Sequence, residues 1–158
     1  MKHTKSVRLG LVLATALCGS TALAQEGEPI TIGVPVGLSG ANSVVAPAVV
    51  QAAELAVEEI NAKGGILGKK VKLEVADDGS GAATAFNTLV FQDDVDVLIS
   101  METSAARNAG LPVVEEGEKP YIYSSFYEGR SCSANMFVNG WVPEQQVPPV
   151  VEKLMADG

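Results

Sequence analysis

The sequence is poor in the side chains on which many enzymes and nucleic-acid-binding proteins depend. Its 158 residues include one histidine, one tryptophan and two cysteines, and only 5% are aromatic. Eleven Lys and Arg stand against nineteen Asp and Glu, so the net charge is −8. Such an acidic surface repels phosphate groups, which argues against nucleic acid and anionic membranes as partners, and two cysteines exclude a disulfide-rich scaffold. The remaining composition, 47% hydrophobic, is typical of a globular chain with one domain.

Residues 1–24 have the organisation of a secretory signal peptide. Residues 1–8 carry three basic side chains, residues 9–17 are mostly apolar, and a small-residue cleavage site ends at Ala24. The apolar stretch is shorter than the about 20 residues that span a bilayer, so a transmembrane anchor fits less well. Cys18 suggests a lipoprotein, but such a site needs a small residue before the cysteine, and Leu17 is bulky. We expect cleavage after Ala24 and a soluble periplasmic protein.

Cleavage there changes the composition of the chain. It removes 24 of the 158 residues and leaves 134, and the loss of three basic side chains changes the net charge from −8 to −11. His3 is lost with the leader, and Cys132 becomes the single cysteine. An unpaired thiol in an oxidising compartment is usually buried, or pairs with another chain.

Strand and helix patterns alternate through the rest of the sequence. Hydrophobic periodicity predicts helices near residues 43–62, 82–92, 104–116 and 144–156. It predicts strands near residues 30–36, 71–76, 97–100 and 121–123, with a fifth at 136–138. This alternation predicts an α/β fold, a three-layer sandwich with a mainly parallel sheet. A flavodoxin-like or response-regulator domain shares the alternation, but works in the cytoplasm and does not fit an export signal.

Several sequence motifs typical of cofactor-binding, metal-binding and catalytic sites are incomplete in this chain. Gly79-Ser80-Gly81 follows a predicted strand, but Thr84 stands where a dinucleotide fingerprint needs its third glycine. The aspartates between residues 77 and 96 lack the spacing of a calcium loop, which favours a solvated acidic turn. A serine or cysteine nucleophile needs a base, and no histidine survives processing. We therefore expect no cofactor, no metal and no enzymatic activity; the rival is a secreted enzyme that uses carboxylates such as Glu102 and Glu128.

The start of the helix predicted at Ser104 is a candidate ligand site. Ligands of open parallel sheets bind at the carboxyl ends of the strands, and this helix follows the strand at 97–100. Its first N–H groups lack acceptors within the helix, and the helix dipole adds positive potential, which suits a carboxylate or an amide oxygen. The alternative is that Thr103 or Ser104 only caps the helix.

Several segments resemble the type I periplasmic solute-binding proteins. Residues 30–40, the helix ending in Glu59-Ile60-Asn61-Ala62-Lys63-Gly64-Gly65, and residues 71–78 and 95–99 are similar to that family. The segments around Thr103-Ser104, Tyr121–Tyr123 and Tyr127-Glu128-Gly129 resemble its urea- and short-amide-binding branch. The resemblance implies a substrate-binding component of an ABC importer for a branched-chain or other amino acid, urea or a short amide. Its partners would be that ligand and a transporter permease; a ligand-sensing domain of the same fold is the alternative.

The resemblance also implies a set of ligand-binding residues. Ser104, Tyr123 and Ser125 correspond to ligand-contacting positions of the branch, and we add Thr103 for its backbone and Glu102 for its carboxylate. Two residues depart from the branch: Glu102 replaces an aromatic or neutral residue, and Phe126 is bulky beside the expected pocket. The family has two lobes, and residues 25–158 correspond to the N-terminal lobe. We therefore expect a fragment that lacks the second lobe.

Overall fold

The computed structural model describes residues 27–40, 42–129 and 131–157, so the predicted signal peptide lies outside the described residues. The helices and strands follow one another as β1 (Ile30–Val36), α1 (Ala46–Ala62), β2 (Val71–Asp77), α2 (Ala82–Asn87), β3 (Val97–Ser100), α3 (Ser104–Glu116), β4 (Tyr121–Tyr123), β5 (Met136–Val138) and α4 (Pro143–Asp157). A 3₁₀ turn at Asp78–Ser80 precedes α2, and a π-helical turn at Thr88–Gln92 continues it. The helix predicted over residues 82–92 is thus divided into an α-helical segment and a π-helical segment.

The strands form one parallel sheet in the order β2-β1-β3-β4-β5. Strands that follow one another in the chain are joined through a helix or a long connection, because parallel strands cannot be linked by a short hairpin turn. The chain runs from β1 to β2 on one side, then crosses back past β1 to β3 on the other side, and continues outward to β4 and β5. The prediction of an α/β fold with a parallel sheet is confirmed.

Side chains that alternate along the strands pack into two separate clusters. Val34 and Val36 of β1 pack with Ala46 of α1 on one face. On the other face, Phe86, Leu89, Val90, Val95, Leu98, Val113, Val114, Tyr121 and Tyr123 form the larger cluster. Because successive side chains of a strand point to opposite faces, helix α1 covers one face and helices α2 and α3 cover the other. These are the three layers that the sequence predicts.

Asn61 and two glycines connect helix α1 to β2. The Asn61 side chain donates from Nδ2 to the Val71 carbonyl and accepts at Oδ1 from the Val71 N–H, both at 2.8 Å. Gly65 has φ +79°, and a Cβ there would lie 1.9 Å from the Lys69 carbonyl oxygen. Only glycine fits that position. The Asn-Ala-Lys-Gly-Gly segment therefore fixes where β2 begins beside β1.

Cys132 is exposed and unpaired among the described residues, and it lies in an irregular segment before β5, outside both apolar clusters. Of the two expectations for its thiol, burial is therefore wrong, and pairing with another chain stays a prediction. No helix in the part of the chain that the structure describes is long and apolar enough to cross a bilayer.

Candidate functional site

The loops after β1, β3 and β4 meet at the carboxyl edge of the sheet around a depression of about 430 Å³. The depression lies between β1 and β3, where the chain direction across the sheet reverses, which is the usual ligand position in open α/β sheets. Its volume falls within the range of small-molecule sites. Its lining comprises Asn42, Val45, Met101, Glu102, Thr103, Ser104, Tyr123, Ser125, Phe126 and Glu128.

The structure brings together all five residues that the sequence nominated. Glu102, Thr103 and Ser104 follow β3, and Tyr123 and Ser125 lie at and after the end of β4. The register of the sheet explains this. Ser100 at the end of β3 pairs with Tyr123 at the end of β4, so the loops that follow these two strands leave the sheet side by side. Their contact with a ligand stays a prediction.

Thr103 caps helix α3, as the alternative interpretation of this segment proposed. Its Oγ1 accepts a hydrogen bond from the Ala106 N–H at 3.1 Å, and its φ of −66° and ψ of 157° place it just outside the helix. Such a cap stabilises a helix by about 1 kcal/mol. Because Thr103 takes the cap, Ser104 becomes the first helical residue and its side chain is not needed for capping.

The Ser104 hydroxyl donates a hydrogen bond to Oε1 of Glu128. The Glu128 side chain is 59% exposed, and its Oε2 accepts from Nη1 of Arg107 at 3.2 Å. The hydrogen bond from Ser104 lowers the pKa of Glu128, and Arg107 lowers it further. Glu128 therefore places an ionised, partly exposed carboxylate at the rim of the depression.

Arg107 is a buried cation beneath this carboxylate. Its side chain is only 3% exposed, and its guanidinium carbon lies 4.8 Å from the ring centroid of Tyr123 and 5.1 Å from that of Tyr127. Cation–π contacts of this kind strengthen when the cation is desolvated. Arg107 thus connects Tyr123, Tyr127 and Glu128 without lining the depression.

Tyr123 is fully buried and forms the floor of the depression. Its hydroxyl donates to the carbonyl oxygens of Glu102 and Phe126, at 2.9 and 3.2 Å. Its ring packs edge-on against Tyr121 and Tyr127. The hydroxyl proton is already used within the protein and the side chain is fully buried, so Tyr123 supports the floor of the depression from beneath.

Glu102 is buried, with 2% of its surface exposed, and its carboxyl group faces the loop that follows β1. Oε1 accepts from the Gly37 N–H at 2.7 Å, and Oε2 accepts from Nδ2 of Asn42 at 3.0 Å. Burial is the main cause that raises the pKa of Glu102 to about 7, and the nearby charge of Asp78 adds to it. The sequence flagged Glu102 as unusual but gave no sign of this contact.

A smaller depression of about 230 Å³ adjoins the first one. It lies between the loops after β4 and β5 and is lined by Met101, Ser124, Ser125, Phe126, Asn139, Gly140 and Trp141. The rings of Phe126 and Trp141 lie 6.1 Å apart and are both mostly exposed. Phe126 therefore forms part of an aromatic rim instead of filling the main depression, and Trp141 is a rim residue that the sequence analysis did not single out.

Within residues 27–40, 42–129 and 131–157, no group of three His, Cys, Asp or Glu side chains has an arrangement that could hold a metal ion. In the acidic turn before β3, Asp94 pairs with Lys119 at 2.7 Å and Asp96 accepts from the Thr31 N–H at 2.7 Å. These aspartates therefore have structural partners.

Comparisons with known proteins agree on one family. The sequence profile of the periplasmic binding protein family matches residues 29–158. A Leu/Ile/Val-binding protein from Rhizobium johnstonii is 46% identical over 67 residues, which is 42% of this chain and 18% of that protein.

Solved structures extend the similarity to most of the fold. A branched-chain amino acid transporter substrate-binding protein from Streptococcus pneumoniae, in complex with isoleucine, is 31% identical with a TM-score of 0.65, covering 70% of this chain and 33% of that one. A fatty acid ABC transporter substrate-binding protein from Thermomonospora curvata is 22% identical with a TM-score of 0.71, covering 82% and 34%, and shares the fold. The chain spans about a third of the length of these structures.

Proposed function

This chain belongs to the periplasmic binding protein family, and on that premise we propose that it is the substrate-binding component of an ABC importer, with an amino acid as ligand. Residues 1–24 would direct export to the periplasm, and residues 25–158 would form the N-terminal lobe of a two-lobed protein. A transporter permease would be its partner, and it would bind its ligand without converting it.

The observation that carries the amino-acid assignment is the charge of the lining. Glu128 presents an ionised carboxylate at the rim, next to the Ser104 hydroxyl, and the described lining contains neither lysine nor arginine. A carboxylate attracts an ammonium group. The first N–H groups of α3 and the hydroxyl of Ser125 can receive a carboxylate beside it, while the Ser104 hydroxyl holds Glu128 in place. An α-amino acid carries these two groups on one carbon atom, which supports the proposal.

The apolar part of the lining suits an aliphatic side chain. Val45, Met101 and Phe126 are each between 44% and 60% exposed and face the same depression. Burying such surface stabilises a complex by about 25 cal/mol per Å². A Leu/Ile/Val-binding relative and an isoleucine-bound structural neighbour are consistent with a branched-chain ligand.

Urea or a short amide is the competing ligand class. The loops around Ser104 and Tyr123 resemble the branch that binds them, and neither ligand carries an ammonium group for Glu128. Glu102, also nominated as a ligand contact, is only 2% exposed and its pKa is raised to about 7, whereas the Glu128 side chain is 59% exposed and its pKa is lowered, so we assign the ammonium contact to Glu128. A Glu128→Gln change should therefore weaken amino-acid binding much more than urea or acetamide binding.

Replacing Ser104 or Ser125 by alanine should weaken leucine binding by roughly 2- to 12-fold each. A neutral hydrogen bond contributes about 0.5–1.5 kcal/mol, which converts to that range of dissociation constants. Isothermal titration calorimetry of the full chain measures the change, and thermal unfolding without ligand should be almost unaltered. Thr84→Ala, a hydroxyl deletion on the exposed part of α2, serves as the matched control. Unchanged affinity in both site variants would remove these hydroxyls from the ligand site.

A further inference from the structure

The loop that follows β1 forms one wall of the depression, and the buried carboxyl group of Glu102 holds this loop in place. Oε1 of Glu102 accepts a hydrogen bond from the Gly37 N–H at 2.7 Å, and Oε2 accepts from Nδ2 of Asn42 at 3.0 Å. Oε2 also accepts a longer hydrogen bond from the Thr103 N–H, at 3.4 Å. Both oxygens act as acceptors, which is the role of an ionised carboxyl group.

The Asn42 side chain is half-buried and lines the depression. A side-chain amide carries its donor and its acceptor on two branches of one carbon atom, so the hydrogen bond from Nδ2 to Glu102 also fixes the orientation of Oδ1. Among the described residues, none donates a hydrogen bond to Oδ1 of Asn42, and no side-chain nitrogen or oxygen is buried without a partner. Oδ1 is therefore an acceptor that remains accessible in a residue of the lining.

We propose that Asn42 is a ligand-binding residue whose Oδ1 accepts a hydrogen bond from an N–H of the ligand, and that Glu102 is the positioning residue that holds the amide in this orientation. The contact deepens the proposed function and rests on it. An ammonium group has three N–H donors, so Glu128 leaves donors for a second acceptor. Asn42 lies on the loop after β1 and Glu128 on the loop after β4, so the two acceptors come from different walls of the depression.

Glu102→Gln should turn the Asn42 amide around. The Gly37 N–H can only donate, so the one oxygen of the new side chain has to stay with it. The new amide nitrogen then faces Asn42, which accepts with Oδ1 and turns Nδ2 towards the depression. A ligand N–H would meet a donor there in place of an acceptor. We expect leucine affinity to fall by roughly 10- to 100-fold, the range for losing a hydrogen bond to a charged group.

Exchanging the acid and the amide tests the orientation directly. In the double variant Glu102→Gln/Asn42→Asp, the new amide nitrogen donates to one oxygen of the new carboxylate, and the other oxygen is again an acceptor for the ligand. Leucine affinity should recover most of the loss seen in Glu102→Gln alone. Asn42→Asp alone places two carboxylates against each other, so thermal unfolding without ligand should show it to be less stable than the double variant.

The measurement is calorimetric titration of the full chain with leucine and with acetamide, at about pH 8.5, where Glu102, with its pKa of about 7, is ionised. Asn42→Ala should weaken leucine binding about as much as Glu102→Gln does. Adding Glu102→Gln to Asn42→Ala should then change the affinity little, because Glu102 acts on the ligand through Asn42.

Asp77→Asn is the matched control, because it makes the same change from acid to amide on a residue that holds the same loop. Asp77 accepts from the Ser39 N–H at 3.1 Å and from the Ser39 hydroxyl at 2.8 Å. A hydroxyl can accept from an amide nitrogen as well as donate to an oxygen, so Ser39 adapts to the new side chain. Asp77→Asn should leave leucine affinity unchanged.

The outcomes separate the Asn42 contact from the proposed function. Leucine binding that is unaltered in both Glu102→Gln and Asn42→Ala would overturn the contact and leave the amino-acid ligand standing. Acetamide binding without leucine binding, weakened in Glu102→Gln and recovered in the double variant, would support the contact, since acetamide also donates an N–H, but would overturn the amino-acid ligand. A double variant as weak as Glu102→Gln, or an equal loss in Asp77→Asn, would overturn the positioning role of Glu102.

Discussion

Replacing Glu128 by alanine is expected to reduce the stability of the full chain by about 2–3 kcal/mol and to abolish most amino-acid binding. The variant leaves the buried guanidinium of Arg107 without its counter-ion, and the neutral amide oxygen of Asn108, at 3.3 Å from Nε, is then its remaining hydrogen-bond acceptor among the described contacts. A buried charge without a partner costs more than the pair contributes when intact. The loss of the carboxylate also removes the proposed ammonium contact.

A comparison with Arg107→Met separates these two effects. Methionine keeps much of the volume between Tyr123 and Tyr127 but leaves no buried charge, and the freed Glu128 is 59% exposed and can be hydrated. Its stability loss should therefore be smaller than that of Glu128→Ala, and the double variant should lose less than the sum of the two. Calorimetric unfolding of the original protein, the two single variants and the double variant measures this double-mutant cycle. Additive losses would contradict the assignment of Glu128 as the counter-ion of Arg107.

Phe86→Ala is expected to cost about 3–5 kcal/mol of stability, the range for deleting a buried aromatic ring. Phe86 is fully buried between helices α2 and α3, and its ring meets Tyr121 edge-on at 5.3 Å. Tyr121 in turn packs against Tyr123, so the floor of the depression rests on this cluster. Thermal unfolding in the absence of ligand measures the loss.

Two further variants check the packing argument. Phe91 lies five residues after Phe86 and is 50% exposed, so Phe91→Ala should cost less than about 1 kcal/mol. A Cβ on Gly110 would lie 2.5 Å from the Phe86 ring, so Gly110→Ala should destabilise the original protein. In the Phe86→Ala background the same change enters the new cavity and should restore part of the stability. Equal costs for Phe86→Ala and Phe91→Ala would contradict the placement of Phe86 in the core.

The sequence predicted the elements well because each one has a clear periodicity and a marked end. The strand at 30–36 is entirely buried or half-buried, and glycines follow it and helix α1, so both boundaries are visible in the sequence. The carboxyl edge of the sheet then follows from the parallel arrangement, which predicts that the loops carrying Ser104 and Ser125 meet there, as they do. The ligand contacts of these two residues come from the resemblance and stay a prediction. Tyr123 was harder to assign, since a tyrosine at a strand end is equally consistent with the core or with a ligand.

The contacts of Glu102 and Arg107 could not be predicted because they depend on strand order and register. Ile32 of β1 pairs with Val97 of β3, and counting five residues onward from each brings Gly37 beside Glu102. The sequence contains no sign that β1 and β3 are neighbours, and residues 37 and 102 are 65 positions apart. The burial of Arg107 likewise requires the Tyr123 and Tyr127 rings to pack edge-on against each other beside it, which only the folded β4 loop provides.

The most direct test of the account is calorimetric titration of the full, exported chain with leucine, isoleucine, urea and acetamide, followed by analysis of the recovered ligand. The proposed function predicts saturable binding of an amino acid at one site, recovery of that amino acid unchanged, and weaker binding in Glu128→Gln with urea and acetamide unaffected by the change. Conversion of the ligand to a product, or binding of urea or acetamide with no binding of amino acids, would contradict it.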